Sequence, residues 1–303
     1  MKVTVLSGGV GGARFLRGLV DVVDPAEVTV VGNVGDDVQI LGMHVSPDLD
    51  SILYTLAGLA DEERGWGRAD ETWNALGTAE ALGGDAWFRL GDRDLGLHLV
   101  RTEALRAGEP LSTVTQRLAE RAGAGVRLLP ATDDELRTCI ETPAGTFPFQ
   151  VWFVQRGHRD EVDAVRYEGA DAARPAPGVA EAIDGADVIL VAPSNPYVSI
   201  GPILAVRAIE DAIRARRVPA VAVSPLIGGR AVKGPADRML ARLAGGTTPA
   251  HVASCYGDLI DALVIDEADA HDLEGLAVRP VVAKTLMSDR DARRRLAEAV
   301  LAA

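Results

Sequence analysis

Four glycines stand between an apolar run and a helical pattern near the head of this chain: Ser7-Gly8-Gly9-Val10-Gly11-Gly12-Ala13-Arg14. Residues 1–6 read as a buried strand and residues 15–20 as the helix that follows. Lacking a Cβ, Gly8, Gly9, Gly11 and Gly12 let the backbone approach a ligand closely. The free N–H groups and dipole of a helix N-terminus then favour an anion, above all a phosphate. The spacing matches neither standard fingerprint. The third glycine of G-x-G-x-x-G falls on Arg14, and no Gly-Lys-Ser/Thr follows. A tight turn without a ligand is the plain alternative, and a phosphate-binding turn accounts better for so many glycines.

Carboxylates form the second group. Gly32-Asn33-Val34-Gly35-Asp36-Asp37 is followed by Ser46-Pro47-Asp48-Leu49-Asp50, which places four aspartates within fifteen residues. Oxygen ligands clustered in this way suit a hard cation such as Mg²⁺. From the spacing, Asp36, Asp37 and Asp50 are expected to hold it, while Asp48 could simply cap the helix that begins nearby. A third polar loop, Ser194-Asn195-Pro196-Tyr197-Val198-Ser199, follows the strand-like run 187–191, and Ser224-Pro225 with Lys233-Gly234 forms a fourth. Several Gly- or Ser-rich loops at one sheet edge imply a large, multiply anionic ligand such as a nucleoside diphosphate conjugate. The stretch 87–102, with Arg89, Asp92, Asp94, His98 and Arg101, reads equally as part of a site or as a solvated helix face with internal ion pairs.

The elements that must position these residues alternate. Strand-like runs at 28–31, 187–191, 220–223, 262–265 and 280–283 are interleaved with helical patterns at 203–216, 236–243 and 288–301. That order predicts an α/β, Rossmann-like fold: a mainly parallel sheet with helices on both faces and ligands beyond the strands' carboxyl ends. Residues 1–60 and 170–303 are expected to form the nucleotide-binding core. Residues 61–169 read as a largely helical insertion, with a hairpin over 134–154 whose second strand is 149–154, serving as a substrate cap. Residues 169–178 read as an exposed connector.

Composition narrows the class. The 303 residues are 48% hydrophobic but only 4% aromatic, so Ala, Val, Leu and Ile must supply the core. A formal charge of −13 argues against a nucleic-acid or membrane-surface role. Two isolated cysteines, Cys139 and Cys255, and no membrane-length apolar run lead to the expectation of a soluble, cytoplasmic protein. Motif spacing alone leaves an NAD(P)-dependent oxidoreductase and a non-catalytic nucleotide-binding regulator open.

Taken together, the motifs resemble one family. The segments are Ser7-Gly8-Gly9-Val10-Gly11-Gly12, Asn33-Val34-Gly35-Asp36-Asp37, Ser46-Pro47-Asp48-Leu49-Asp50, Arg64-Gly65-Trp66-Gly67, Leu90-Gly91-Asp92-Arg93-Asp94, Arg101-Thr102, Ser194-Asn195-Pro196 and Val223-Ser224-Pro225. In this order, over residues 1 to about 290, they resemble the 2-phospho-L-lactate transferase family of coenzyme F420 biosynthesis. The resemblance implies transfer of a phosphoenolpyruvyl or 2-phospho-L-lactyl group from its guanosine diphosphate conjugate. The acceptor is the terminal ribityl hydroxyl of the deazaflavin Fo, GMP is released, and Mg²⁺ is the cofactor. It places Fo at Asp50 and Arg89, with Asp50 orienting the nucleophile. The donor falls to Gly8, Gly9, Gly11, Gly12, Asn33, Ser194, Asn195 and Ser199. A homodimer is implied as well.

Overall fold

The computed structural model describes residues 1–303. The chain opens with β1 (Val3–Ser7), α1 (Gly9–Leu19) and β2 (Val28–Gly32), followed by a small hairpin of β3 (Val38–Ile40) and β4 (Met43–Val45). Helices α2 (Pro47–Leu56), α3 (Asn74–Ala81), α4 (Asp92–Arg106) and α5 (Leu111–Ala122) come next, then β5 (Arg127–Pro130). A second small sheet is built from β6 (Arg137–Thr142), β7 (Gly145–Pro148) and β8 (Ala164–Glu168). The remainder runs α6 (Val179–Asp184), β9 (Val188–Val191), α7 (Gly201–Ala205), α8 (Arg207–Arg214) and β10 (Ala220–Val223). A short hairpin, β11 (Leu226–Ile227) and β12 (Arg230–Ala231), precedes α9 (Ala236–Leu243), α10 (Pro249–Ser254), β13 (Ala262–Asp266), β14 (Arg279–Ala283) and α11 (Arg290–Leu301).

Seven strands form one parallel sheet in the order β14-β13-β10-β9-β1-β2-β5. Every residue of β1, β9, β10 and β13 is buried, as expected for a parallel sheet covered on both faces. From β1 the chain steps to β2 on one side; from β9 it steps to β10 on the other. Right-handed crossovers therefore put α1 and α8 on opposite faces and open a crevice between β1 and β9. The register brings their ends level: Ser7 pairs with Gly32, and Leu6 with Val191. The expected doubly wound α/β architecture is what forms.

The middle of the chain departs from expectation. Residues 61–169 are not wholly an insertion, because β5 joins the main sheet at the edge beside β2. The run Arg127-Leu128-Leu129-Pro130 is short and ends in proline, which hides it from pattern reading. Residues 149–154 are not a strand either. The β6–β7 hairpin ends at Pro148, and Val151–Gln155 forms one π-helical turn, with the Arg156 N–H donating to the Val151 carbonyl at 2.9 Å. Trp152 is fully buried there with Ile140, Val162, Val198 and Met239, so core packing overrides the strand propensity of the run. The helix expected over 203–216 divides at Val206, whose backbone is extended. The 169–178 connector is irregular but not fully exposed: Ala170, Ala173 and Ala176 are buried, and the Ala176 N–H donates to the Ala131 carbonyl at 3.0 Å.

Helix α1 is clasped by α2 and α11. At Gly18 the approach is so close that a Cβ would strike the Arg293 carbonyl of α11. Gly18→Ala is therefore expected to lower the free energy of unfolding by about 1–3 kcal/mol through overpacking. Urea denaturation followed by circular dichroism measures this, and an unchanged midpoint would show that α11 can shift without cost.

Candidate active site

Residues leaving β1, β2 and β9 meet at the crevice. Helix α1 begins immediately after Gly8, whose position offers no side-chain cap; Asp48 accepts the Gly9 N–H, and the N–H groups that follow are left for a ligand. Gly9 has φ +65°, a left-handed conformation that glycine adopts without strain. The other glycines serve close packing of loop on loop. A Cβ at Gly8 would lie 2.5 Å from Asp48 Oδ2 and 2.9 Å from Ser199 Cβ. At Gly11 it would lie 2.6 Å from the Pro193 carbonyl, and at Gly12 it would meet Ser7 Oγ and, at 2.7 Å, Ser194 Oγ. Gly11 and Gly12 thus seat the first loop against the 193–199 loop, and Gly11 also lines the cavity.

Asn33 ties three segments together. Its amide Nδ2 donates to Asp36 Oδ1 at 2.7 Å, to Asp48 Oδ2 at 2.9 Å and to the Val198 carbonyl at 3.1 Å. Its Oδ1 accepts the Gly35 N–H at 2.7 Å. The other Asp36 oxygen accepts from Gln150 Nε2 at 2.8 Å. Asp36 and Asp48 are both buried, and neither has a salt-bridge partner. Burial, with the neighbouring carboxylates adding to it, pushes the Asp36 carboxyl well above the usual range. Burial also pushes Asp48 up to about 6, against the pull of Asn33 and the Gly9 N–H. Two buried carboxylates without a counter-charge present a donor set that suits a hard cation.

The other two aspartates face elsewhere. Asp37 accepts from Ser46 Oγ at 2.7 Å and contacts His44 Nε2 at 2.8 Å, which ties the β3–β4 hairpin to its loop. Burial raises its pKa, with His44 and Ser46 opposing. Asp50, on α2, is held two-fold by Arg101 of α4: Nη1 donates to Oδ2 at 3.0 Å and Nη2 to Oδ1. Arg101 Nη1 also lies 3.3 Å from His98 Nδ1, while His98 Nε2 lies 3.2 Å from Asp94 Oδ1, which accepts from the Tyr54 hydroxyl. Burial raises the Asp94 carboxyl, but His98, Tyr54 and Arg101 outweigh it and hold it below the usual range. The expected ligand trio Asp36, Asp37 and Asp50 is therefore not gathered at one point, and no three His, Cys, Asp or Glu side chains converge as a preformed group. The pair that does share one face of the cavity is Asp36 and Asp48.

A cavity of about 680 Å³ joins these parts. Gly8, Gly9, Gly11, Asp36, Asp48, Asp50, Arg89, Ser194, Asn195 and Ser199 line it; Gly12, Asn33 and Asp37 stand behind. Ser194 Oγ donates to the Gly8 carbonyl at 2.7 Å, and Asn195 Oδ1 accepts the Tyr197 N–H at 2.9 Å. Asn195 thereby starts a second π-helical turn, Pro196–Ile200, in which the Ile200 N–H reaches back to the Asn195 carbonyl at 3.2 Å. Arg89 is exposed at the rim, its guanidinium 4.9 Å from the Trp73 ring centre. Trp66, Trp87, Phe88, Phe149 and Phe153 add an aromatic wall from residues 61–169. Trp66 lies in the Arg64-Gly65-Trp66-Gly67 motif and Trp87 and Phe88 in the stretch 87–102, whereas Gln150, Phe149 and Phe153 sit in an apolar run that carries no motif.

No helix is long and apolar enough to cross a membrane. Compared with known proteins, residues 3–302 match the model of the family described as 2-phospho-L-lactate transferase CofD. The chain is 48% identical over 314 residues to the phosphoenolpyruvate transferase of Kitasatospora aureofaciens, covering 100% of this chain and 97% of the relative. It is 42% identical over 313 residues to that of Mycolicibacterium smegmatis, covering 96% and 95%. A crystal structure of a UPF0052-family protein from Bacillus halodurans superposes with a TM-score of 0.68 at 18% identity, covering 99% of this chain and 98% of that one, a likeness of fold. With its glycine turn, aspartate loops and full-length match, this chain is a transferase of the 2-phospho-L-lactate transferase CofD family of F420 biosynthesis.

Proposed function

We propose that the protein transfers a phosphoenolpyruvyl group from a guanosine diphosphate conjugate to the terminal ribityl hydroxyl of the deazaflavin Fo, releasing GMP. One observation carries this reading: a single cavity combines a glycine-lined helix N-terminus, a pair of buried carboxylates and an aromatic wall. The first two suit a diphosphate with a cation, and the third suits a flat ring. The relatives named phosphoenolpyruvate transferase favour the enolpyruvyl donor over the lactyl one. Free thiols at Cys139 and Cys255 suit a reducing, cytoplasmic setting.

In this reaction the acceptor oxygen forms a bond to the phosphorus next to the acid, and the bond from that phosphorus to the GMP oxygen breaks. Such transfers ask a protein mainly for alignment and charge neutralisation. The N–H groups of α1 bind the donor phosphates across the crevice from Ser194 and Ser199. Asp36 and Asp48 would hold Mg²⁺, which neutralises diphosphate oxygens when bound; Mg²⁺ is commonly held by one or two carboxylates together with substrate phosphates. This replaces the ligand set read from spacing. Asp50 orients the hydroxyl of Fo, and Arg101 behind it fixes its plane through the two-fold contact. Arg89 and the aromatic wall hold the ring system.

Asp50→Asn is expected to lower kcat about 10²-fold or more while GDP still binds. The change also leaves Arg101 buried beside a neutral partner, so the melting temperature should fall. Near-normal turnover would remove Asp50 from the alignment of the nucleophile. Arg89→Ala should raise KM for Fo with a smaller effect at saturation, read from steady-state kinetics; an unchanged KM would detach Arg89 from Fo.

Metal and pH are linked at Asp48. A carboxyl raised in the folded state favours folding when protonated, so this contribution is full below about pH 4 and lost as pH rises through about 6. In chelator, Asp48→Asn should therefore stabilise the protein at pH 7.5 by about 1–3 kcal/mol and do little at pH 4. Mg²⁺ should raise the melting temperature of the natural protein at pH 7.5 but not that of the variant. Equal Mg²⁺ responses would take Asp48 out of the cation site, and full turnover in excess chelator would remove the cation itself.

A further inference from the structure

The same cavity also carries a pair of basic groups. Arg14, one turn into α1, and Lys233, after the β11–β12 hairpin, both line it. They converge on Gly65: a Cβ there would lie 3.0 Å from Lys233 Nζ and 3.6 Å from Arg14 Nη2. Lys233 Nζ donates to the Gly65 carbonyl at 2.9 Å, and neither cation has an acidic partner within salt-bridge distance. Two of the three acids of the adjoining segment are engaged elsewhere, and the third, Glu63, is exposed and bonds neither cation. Asp61 pairs with Arg64 at 3.0 Å, and Glu62 pairs with Arg293 at 2.7 Å. Arg14 is half-buried and Lys233 exposed, and with no carboxylate bonded to either, the two like charges on this side of the cavity offer a place that an anionic ligand would complement. Burial and the Arg14 guanidinium together hold the Lys233 ammonium below its usual range, a penalty that an intervening oxyanion would relieve.

We propose that Arg14 and Lys233 form an oxyanion subsite for the part of the donor that lies beyond GMP. The ligand chemistry is a carboxylate or a terminal phosphate, supplied by the three-carbon acid or by the second phosphate of the diphosphate. Arg14 offers a planar fork and Lys233, from a separate element, a point charge, a combination that suits a trigonal or tetrahedral oxyanion. The subsite rests on the reading that this cavity takes a guanosine diphosphate conjugate. It also gives the segment around Gly65 a role: the Lys233 contact holds that segment near the bound anion.

The test uses full-length protein and the variants Arg14→Met, Lys233→Met and Lys233→Arg. Calorimetric titration measures binding of GMP, GDP, the enolpyruvyl conjugate, inorganic pyrophosphate and phosphoenolpyruvate, all without Fo. Each Met variant is expected to bind the conjugate about 10-fold more weakly while GMP stays within about two-fold, and Lys233→Arg should recover much of the loss. A parallel fall for GDP assigns the subsite to the second phosphate, and unchanged GDP assigns it to the carboxylate. Equal weakening of GMP, GDP and conjugate would overturn the proposal, because the cations would then act only as a general field. Unaltered conjugate binding in both Met variants, with unchanged melting temperature, would overturn it too. Should the natural protein bind no guanine nucleotide, the functional reading fails. The subsite is then judged on pyrophosphate and phosphoenolpyruvate, whose unchanged binding in the Met variants would sink it.

Discussion

One side-chain amide organises the crevice. Asn33 satisfies its oxygen on its own loop and spends its two hydrogens among Asp36, Asp48 and the Val198 carbonyl. Three segments that arrive from β2, α2 and the β9 loop are thereby fixed at one point. Because the amide is fully buried, a misplaced partner would leave a polar group unsatisfied in a low-dielectric setting. The two aspartates are held in place by hydrogen bonds rather than by counter-charges. Structural order and chemical readiness come from the same contacts.

The two halves of the cavity divide the work by chemistry. Backbone N–H groups, hydroxyls and carboxylates come from the parallel-sheet core, which is packed on both faces and rigid. Aromatic rings and the rim arginine come from residues 61–169, where smaller clusters pack around Trp152 and around Leu90. Gln150 is one polar link between the halves, through its hydrogen bond to Asp36, and Arg101, through its two-fold contact with Asp50, is another. Both π-helical turns lie beside this junction. Such turns shift side chains out of the ordinary helical phase and recur at functional sites.

Much of the fold was legible because a buried parallel sheet writes itself as continuous apolar runs: β1, β2, β9, β10 and β13 read that way, and β14, at the exposed edge, keeps a shorter one. The strand β5 was hidden by its brevity and terminal proline. At the site, the glycine turn and the aspartate loops were visible as types and spacings. Which way each aspartate faces was not. Asp36 and Asp37 are adjacent, yet one meets Asn33 and Gln150 while the other meets Ser46 and His44. Only tertiary partners decide that. Arg101 stood in a readable motif, but its pairing with Asp50 spans fifty-one positions and depends on how α4 packs beside α2.

The clasp between α1 and α11 has a consequence in time. The helix whose N-terminus opens on the cavity is made among the first twenty residues, whereas the helix that covers its Gly18 face is made after residue 289. During synthesis, α1 and the β1–β9 pairing wait for partners that emerge only after most of the chain is built. A topology so dominated by distant contacts folds slowly and exposes apolar strands meanwhile. On the ribosome, the glycine turn would be among the first sequences made and among the last parts of the site to become complete.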